Sequence, residues 1–405
     1  MKNLGTVGIV GQGYVGLPLA IEACESGWTV VGIEVDSDKA IALKRGQSNL
    51  ESVPNEKLQN ILSTGRYAIS SNFADLSKCQ IIIVCVPTPL GEADLPDLTA
   101  LRMVVDSIDR HASKGSLIIN ESTSFPGTLR EIFVEPLEKD VLKNRFLYAV
   151  APERIDPGNL LYSLRNTPRV IGALSAEAMD AATEFYSTFC QELITVSSPE
   201  VAELSKLLEN SFRLVNISLV NQLSILAAKI GISTREVIEA AASKPFGFMA
   251  FYPGVGIGGH CIPVDPIYLS SFANTHMVNM SLIEEAKRFD DSLSILIARR
   301  IREIFPDLQT ITVIGLAYKA GSKDLRNSPT IRLINCLREQ GLKVEWIDSL
   351  VLEWNNEKSA TVAHSPVAVY IHKDKSFNPD DYLARGGKIL DFTGSLPSKQ
   401  NVIQL

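Results

Sequence analysis

The sequence predicts an α/β protein, with two doubly wound parallel-sheet domains joined by a long central helix and a helical middle domain. Three observations carry that expectation. An apolar strand runs into a glycine-rich turn and a helix near the start of the chain, and a second strand follows. The same strand–helix–strand rhythm returns over residues 310–348. Between the two lies a long run with apolar residues at helical spacing. Strands that alternate with helical segments make a parallel sheet, because each parallel crossover needs about a dozen residues to return.

Residues 5–10 form the first strand, ending in Gly11-Gln-Gly13-Tyr14-Val15-Gly16. Helical periodicity from Leu17 is closed by Gly27, and a strand over 29–34 completes the unit. Further strands over 81–86, 116–120 and 146–151 extend the sheet of a first domain, residues 1–196. Ser198-Pro199-Glu200 then starts a helix, with Ser as N-cap and Pro in the first turn. Val201, Leu204, Leu208, Val215, Leu219, Leu223 and Leu226 recur at helical spacing until Gly231 stops it. A helix of about 30 residues exceeds what one domain usually needs, so it should bridge domains or meet a partner subunit. Ser233 and Glu236 read as a capping box for the next helix of a middle domain, residues 197–300. The last domain, 301–405, repeats the opening pattern without its glycines: a strand over 310–317, a helix from Ser328-Pro329 to Gly341, and a strand over 342–348.

Composition narrows the classes of function. A length of 405 residues suits two or three domains. Hydrophobic content of 45% and charged content of 21% are those of an ordinary globular protein. Forty-six acidic against 39 basic residues give a net charge of -7, which argues against a broad nucleic-acid or membrane-surface face. Met1 leads almost directly into the first strand, so no signal peptide is expected, and no apolar run is read as reaching the ~18 residues of a membrane span. The six cysteines show no CxxC pair. Cys24, Cys79, Cys85, Cys190 and Cys336 read as small core residues of a cytoplasmic protein.

The first turn has the parts of a dinucleotide site. Gly11 allows the tight bend, Gly13 lets a pyrophosphate approach, and Gly16 permits close contact of helix and strand. The helix N-terminus offers N–H groups to the phosphates. Glu34, at the end of the second strand, would accept from the adenine ribose hydroxyls and repel a 2′-phosphate, favouring NAD over NADP; Asp36 competes for that role. This makes the first domain Rossmann-like. Pro87-Thr88-Pro89-Leu90 and Glu121-Ser122-Thr123-Ser124 follow later strands and so fall on the carboxyl edge of the sheet, where such folds bind ligands.

Reactive groups appear further on. Cys261 ends the run Tyr252-Pro-Gly254-Val255-Gly256-Ile257-Gly258-Gly259-His260, and glycines bring backbone close to a ligand. A thiol there is placed like a nucleophile that attacks a carbonyl. His260 and Cys261 lack the further ligands that zinc needs, so no metal is expected. Lys206 and Asn210 share one face of the long helix. Glu153 follows a strand and is a candidate acid or base, and Asp265 lies four residues beyond Cys261.

Together these segments resemble the UDP-sugar 6-dehydrogenase family over nearly the whole chain. The shared pieces are Gly-Gln-Gly-Tyr-Val-Gly-Leu-Pro from Gly11, Val-Pro-Thr-Pro-Leu from Val86, Glu-Leu-Ser-Lys-Leu-Leu-Glu-Asn from Glu203, Gly-Gly-His-Cys from Gly258, and Gly-Leu-Ala-Tyr-Lys from Gly315. The segments from Pro152 and from Lys244 look like the branch acting on UDP-N-acetylhexosamines, with UDP-N-acetylglucosamine nearest and UDP-N-acetylmannosamine second. UDP-glucose is a further alternative. The resemblance implies oxidation of the sugar C6 alcohol to a carboxylate with two NAD. By position it makes Cys261 the nucleophile of a thiohemiacetal and thioester, and gives Lys206 and Asn210 the oxyanion. Glu153, Thr123 and Asp265 then handle water and protons, with the actual base among them left open.

On the same reading NAD is held by Gly11, Gly13, Tyr14, Val15, Gly16 and Glu34. Lys39, Pro87, Thr88, Ser122, Thr123 and Arg326 complete that set. Glu153, Arg154, Lys206, Asn210 and Arg213 face the substrate. Phe251, Tyr252, Gly254, Gly258 and Lys319 face it as well, and the glycines also offer backbone donors. The third domain holds the UDP end, and the long helix forms the core of a homodimer. Val255 replaces a usual proline, which should loosen the loop, and the match weakens after Asp348. Two other readings stay open: a two-electron hydroxyacid dehydrogenase, which would not need Cys261, and a non-catalytic NAD-binding sensor with a regulatory thiol.

Overall fold

The computed structural model describes residues 4–48, 50, 52–91, 94–138, 145–155, 161–397 and 399–404. The chain divides into two compact units, the first ending at Glu209 and the second beginning at Asn210.

In the first unit the strands are β1 (Thr6–Val10), β2 (Thr29–Ile33), β3 (Tyr67–Ser70), β4 (Ile81–Val84), β5 (Leu117–Asn120), β6 (Leu147–Val150), β7 (Arg169–Ala173) and β8 (Leu193–Val196). They form one sheet in the order β3-β2-β1-β4-β5-β6-β7-β8. The first six are parallel, which is the doubly wound arrangement. One pairing departs from the all-parallel expectation: β6 and β7 are antiparallel, with Ala149 opposite Ala173. Among the described residues no helix lies between them, so the chain turns back without a crossover.

The helices here are α1 (Gly16–Glu25), α2 (Ser37–Lys44), α3 (Asn55–Ser63), α4 (Thr99–His111), α5 (Glu135–Leu137) and α6 (Ala176–Ser187). Residues 81–84 show why they cover both faces. Ile81 and Ile83 pack with α1, α3 and α6, while Ile82 and Val84 pack with α4. An apolar run without alternation is what a strand buried on two sides requires.

α7 (Pro199–Ile230) is one helix of 32 residues that continues from the first unit into the second. By length and composition alone it could cross a membrane, which corrects the expectation that no run reaches that length. The sequence hides the run because serine and asparagine interrupt it. In the structure two of these side chains serve the protein: Ser218 donates to the Ala286 carbonyl at 3.0 Å, and the Asn221 oxygen accepts from the Gly254 N–H at 2.9 Å.

The second unit continues with α8 (Thr234–Ala242), α9 (Asp265–Thr275), α10 (Ser281–Ile304), β9 (Thr310–Ile314), α11 (Pro329–Glu339) and β10 (Lys343–Ile347). A small ribbon of β11 (Glu353–Trp354) and β12 (Glu357–Lys358) precedes β13 (Val367–Tyr370), α12 (Pro379–Ala384), β14 (Lys388–Asp391) and β15 (Val402–Gln404). Ser233 caps α8 by accepting from the Glu236 N–H at 3.3 Å, as its spacing suggests. The main sheet is parallel, in the order β10-β9-β13-β14-β15. Leu293 and Ile297 of α10 and Leu333 and Leu337 of α11 cover one face, and Tyr382 of α12 covers the other.

Candidate active site

The turn after β1 separates its glycines by task. Gly11 has φ +89°, and a Cβ there would lie 2.5 Å from the Cys85 carbonyl oxygen. A Cβ on Gly16 would lie 1.9 Å from the Gly11 carbonyl oxygen. Gly13 differs, since a Cβ built on it meets nothing within 4 Å. Two glycines thus serve the protein's own packing, while the third leaves open space at the N-terminus of α1. That space fits a dinucleotide pyrophosphate. Tyr14 is exposed and Val15 half-buried beside it.

Glu34 stands just past β2, accepting from the N–H groups of Gln12 at 3.2 Å and Asp36 at 3.1 Å. Lys39 pairs with it at 2.8 Å. Asp36 is committed elsewhere: one of its oxygens caps α2, accepting from Asp38 and Lys39 at 3.0 and 3.1 Å. Gln12, which sequence reasoning passed over, is fully buried and donates to the Ile9 carbonyl at 2.8 Å, holding the turn from beneath. Two further loops meet at the sheet's carboxyl edge. Ser122 accepts from the Val86 N–H at 2.9 Å, so it stitches the segment with Thr123 to the one with Pro87 and Thr88. Thr88 is buried, Pro87 exposed and Thr123 half-buried.

Lys206 and Asn210 lie one turn apart on α7, 9% and 6% exposed. Glu203, a turn before Lys206, was not singled out in the sequence. Its carboxylate accepts from Gly127 at 2.7 Å and Leu129 at 3.0 Å, tying α7 to the chain just beyond Thr123. Burial pushes its pKa up to about 8, against the pull of those N–H donors. Glu153 accepts from the Arg154 and Ile155 N–H groups at 2.6 Å each and pairs with Arg169 at 3.0 Å. Arg154 is held by Glu209 at 2.6 Å and by the Pro168 carbonyl at 2.8 Å.

In the second unit the Cys261 carbonyl accepts from Val264 at 3.1 Å and Asp265 at 2.8 Å, so one turn joins the cysteine to the start of α9. Cys261 is exposed. Cys24, Cys79, Cys85 and Cys190 are buried, and Cys336 is half-buried. Burial raises the thiol pKa of all five, to about 12 for Cys24 and about 11 for Cys79 and Cys190. Asn210 donates to Asp265 at 2.6 Å, joining two of the expected site residues.

The glycine loop before Cys261 is tightly fixed. Gly254 donates to Asn221 at 2.9 Å, Ile257 to Asp290 at 2.8 Å, and Gly259 to the Arg326 carbonyl at 3.0 Å. These three N–H groups therefore serve the loop itself. A Cβ on Gly258 would strike Tyr318 at 2.6 Å, so the loop lies flat on that side chain. Val255 is 2% exposed within the apolar core under α10 and α11. It anchors the loop. Phe251 meets Phe212 edge-on at 5.7 Å, and Tyr252 lies under Arg235 at 4.8 Å. Arg213 is exposed and Lys319 half-buried. Arg326 forks onto Asp324, with Nε 3.0 Å from both oxygens.

Three successive stretches of the chain match the domains of one family. Residues 5–190 match the NAD binding domain of the UDP-glucose/GDP-mannose dehydrogenase family, 200–292 its central domain, and 312–374 its UDP binding domain. The chain belongs to that family. It is an NAD-dependent UDP-sugar dehydrogenase, with the glycine turn in the NAD binding domain and Cys261 in the central domain. It is 34% identical over 354 residues to the UDP-N-acetyl-D-mannosamine dehydrogenase of Pyrococcus horikoshii, covering 85% of this chain and 84% of that one. It is also 34% identical over 365 residues to the UDP-N-acetyl-D-glucosamine 6-dehydrogenase of Pseudomonas aeruginosa, covering 87% and 84%. Among solved structures, the UDP-D-ManNAc dehydrogenase of Pyrococcus horikoshii superposes with a TM-score of 0.85 at 30% identity, over 95% of this chain and 94% of that one.

Proposed function

We propose that this dehydrogenase oxidises the C6 hydroxyl of a UDP-N-acetylhexosamine to a carboxylate, a four-electron oxidation that passes through Cys261. The observation carrying this reading is the thiol itself: it is the exposed cysteine of the six, and it lies one turn before α9.

Bound NAD supplies the oxidising power, one equivalent for each two-electron stage. Cys261 adds through sulfur to the C6 aldehyde carbon, and the resulting thiohemiacetal is oxidised to a thioester. Water cleaves that thioester, releasing the carboxylate and returning the thiol. Covalent capture holds the aldehyde between stages. Lys206 and Asn210 donate to the oxygen on which charge gathers. Asp265, hydrogen-bonded to Asn210, joins Glu153 and Thr123 in handling water and protons. Lys319 and Arg326 act on the ligands from the UDP binding domain.

The gluco epimer is the first substrate to test, on the segments from Pro152 and Lys244. The manno epimer is the second reading, supported by a relative of that name at the same 34% identity. A panel of UDP-sugars, assayed for NADH formed per sugar consumed, decides between them. Two NADH per molecule are expected for one epimer of the N-acetylhexosamine. One would indicate a simple two-electron oxidation, and none would indicate an NAD-binding sensor.

A further inference from the structure

Glu153 is part of a charge cluster inside the first unit. Arg169, the opening residue of β7, is 4% exposed. Its Nη2 donates to Glu153 Oε2 at 3.0 Å, and its Nη1 donates to Glu121 Oε2 and to the Ala151 carbonyl, each at 3.2 Å. Tyr186 of α6 donates its hydroxyl to the other oxygen of Glu121, and its ring lies 5.0 Å beneath the guanidinium carbon. The ends of β5 and β6, the start of β7 and one face of α6 therefore converge on a single arginine.

The arrangement is asymmetric in a useful way. Glu121 has a side chain with no exposed surface, whereas that of Glu153 is 12% exposed. Glu153 Oε1 takes the N–H groups of Arg154 and Ile155 at 2.6 Å each, and Oε2 takes Arg169. Both oxygens are thus held from the protein side, and the carboxylate has one orientation. A guanidinium serves two carboxylates at once because its donors form a rigid fork, which the point charge of a lysine cannot imitate. A buried ion cluster contributes little net stability over apolar packing of the same volume. Keeping one here makes sense if it sets the geometry of the partly exposed member.

We propose that Arg169 is a positioning residue for Glu153, fixing its carboxylate beyond the end of β6 while Glu121 and Tyr186 brace the guanidinium from behind. The proposal rests on the reading of Glu153 as one of the residues that handle water and protons. Among the described residues, Cys85 and Cys190 are further titratable groups facing the cluster. Burial pushes Cys85 and Tyr186 well above their usual pKa ranges and Cys190 to about 11. Burial also pushes Glu121 up, to about 7, against the pull of Arg169.

The test uses the full-length enzyme, with NADH formation followed as a function of sugar concentration to separate kcat from KM, and NAD binding measured separately. Arg169→Met combined with Glu121→Gln removes one charge of each sign and leaves the net charge of the cluster unchanged. In this double variant kcat should fall by about 10–100-fold, the scale of misplacing a catalytic group by roughly an ångström. NAD affinity and the KM for sugar should stay close to wild type. Arg169→Lys keeps the charge but not the fork. Its kcat should stay low, and it decides the matter if the double variant does not fold. Adding Glu153→Gln to the double variant should cost little more, since the residues act as one. Wild-type kcat in Arg169→Lys, or losses that multiply in the triple variant, would overturn the positioning role. Full activity in Glu153→Gln alone would overturn the role of Glu153 and the proposal with it. Full activity in the double variant beside a crippled Glu153→Gln would overturn the positioning role alone.

Discussion

Gly11, Gly13 and Gly16 share one turn, yet they answer to different constraints. Gly13→Ala places a methyl group in the space left for a pyrophosphate and touches no protein atom within 4 Å. It should leave the thermal midpoint unchanged while weakening NAD by about tenfold or more, a change of about 1.4 kcal/mol in binding. Gly16→Ala drives a Cβ to 1.9 Å from the Gly11 carbonyl oxygen. It should cost at least about 1–3 kcal/mol of stability, as overpacking does, and be seen first in the melting curve. Equal effects of the two substitutions on stability would refute this division of labour. Cys261→Ser should stall turnover with a trapped or slow intermediate while NAD still binds, a combination checked by single-turnover NADH formation and by NAD titration. Undiminished two-stage turnover in that variant would remove the thioester from the mechanism.

Among the elements, α7 carries a stability term of its own through Glu203. Burial raises the Glu203 carboxyl to about 8 in the folded chain, whereas an unfolded glutamate titrates near ~4.3. Between those values the folded state keeps a proton that the unfolded state releases, so stability falls as pH rises through the window. The slope is at most ~1.4 kcal/mol per pH unit from one group. Glu203→Gln removes this term. Urea midpoints of wild type and variant, compared from pH 5 to pH 8, should show the wild type losing ground steadily. Parallel curves would mean that Glu203 is ionised throughout. The same substitution weakens the tie to Gly127 and Leu129, so NAD binding should be measured alongside.

At the scale of the whole molecule, α7 displays Leu204, Leu208, Phe212, Leu219 and Leu226 as exposed apolar side chains along its length. Leu208 and Leu219 are 62% and 60% exposed, a poor use of leucine unless another surface covers them. We propose that a second copy of the chain covers this stripe. Leu208→Glu together with Leu219→Glu should convert a dimer to monomers in sedimentation velocity, with the secondary structure retained. A dimer that survives both charges would place the interface elsewhere.

The sequence by itself determined what depends on neighbours in the chain. The spacing of Gly11, Gly13 and Gly16, the run Ile81-Ile82-Ile83-Val84 and the cap Ser198-Pro199 each act through local backbone sterics or two-sided burial. The turn, five of the six parallel strands of the doubly wound plan and α7 were therefore legible, as were Cys261 and its glycine loop. The strands β3, β7, β8 and β13–β15 were not, because each is a run of only three to five residues, too short for a periodic pattern to mark it. Only tertiary structure decided the antiparallel β6–β7 step, the anchoring of Val255, and the internal use of the Gly254 and Gly259 N–H groups. It alone brought Arg169 onto Glu153 and Glu121, 16 and 48 residues away. No local pattern marks that meeting: a charge opening a strand looks like an exposed end until the fold buries it against two carboxylates.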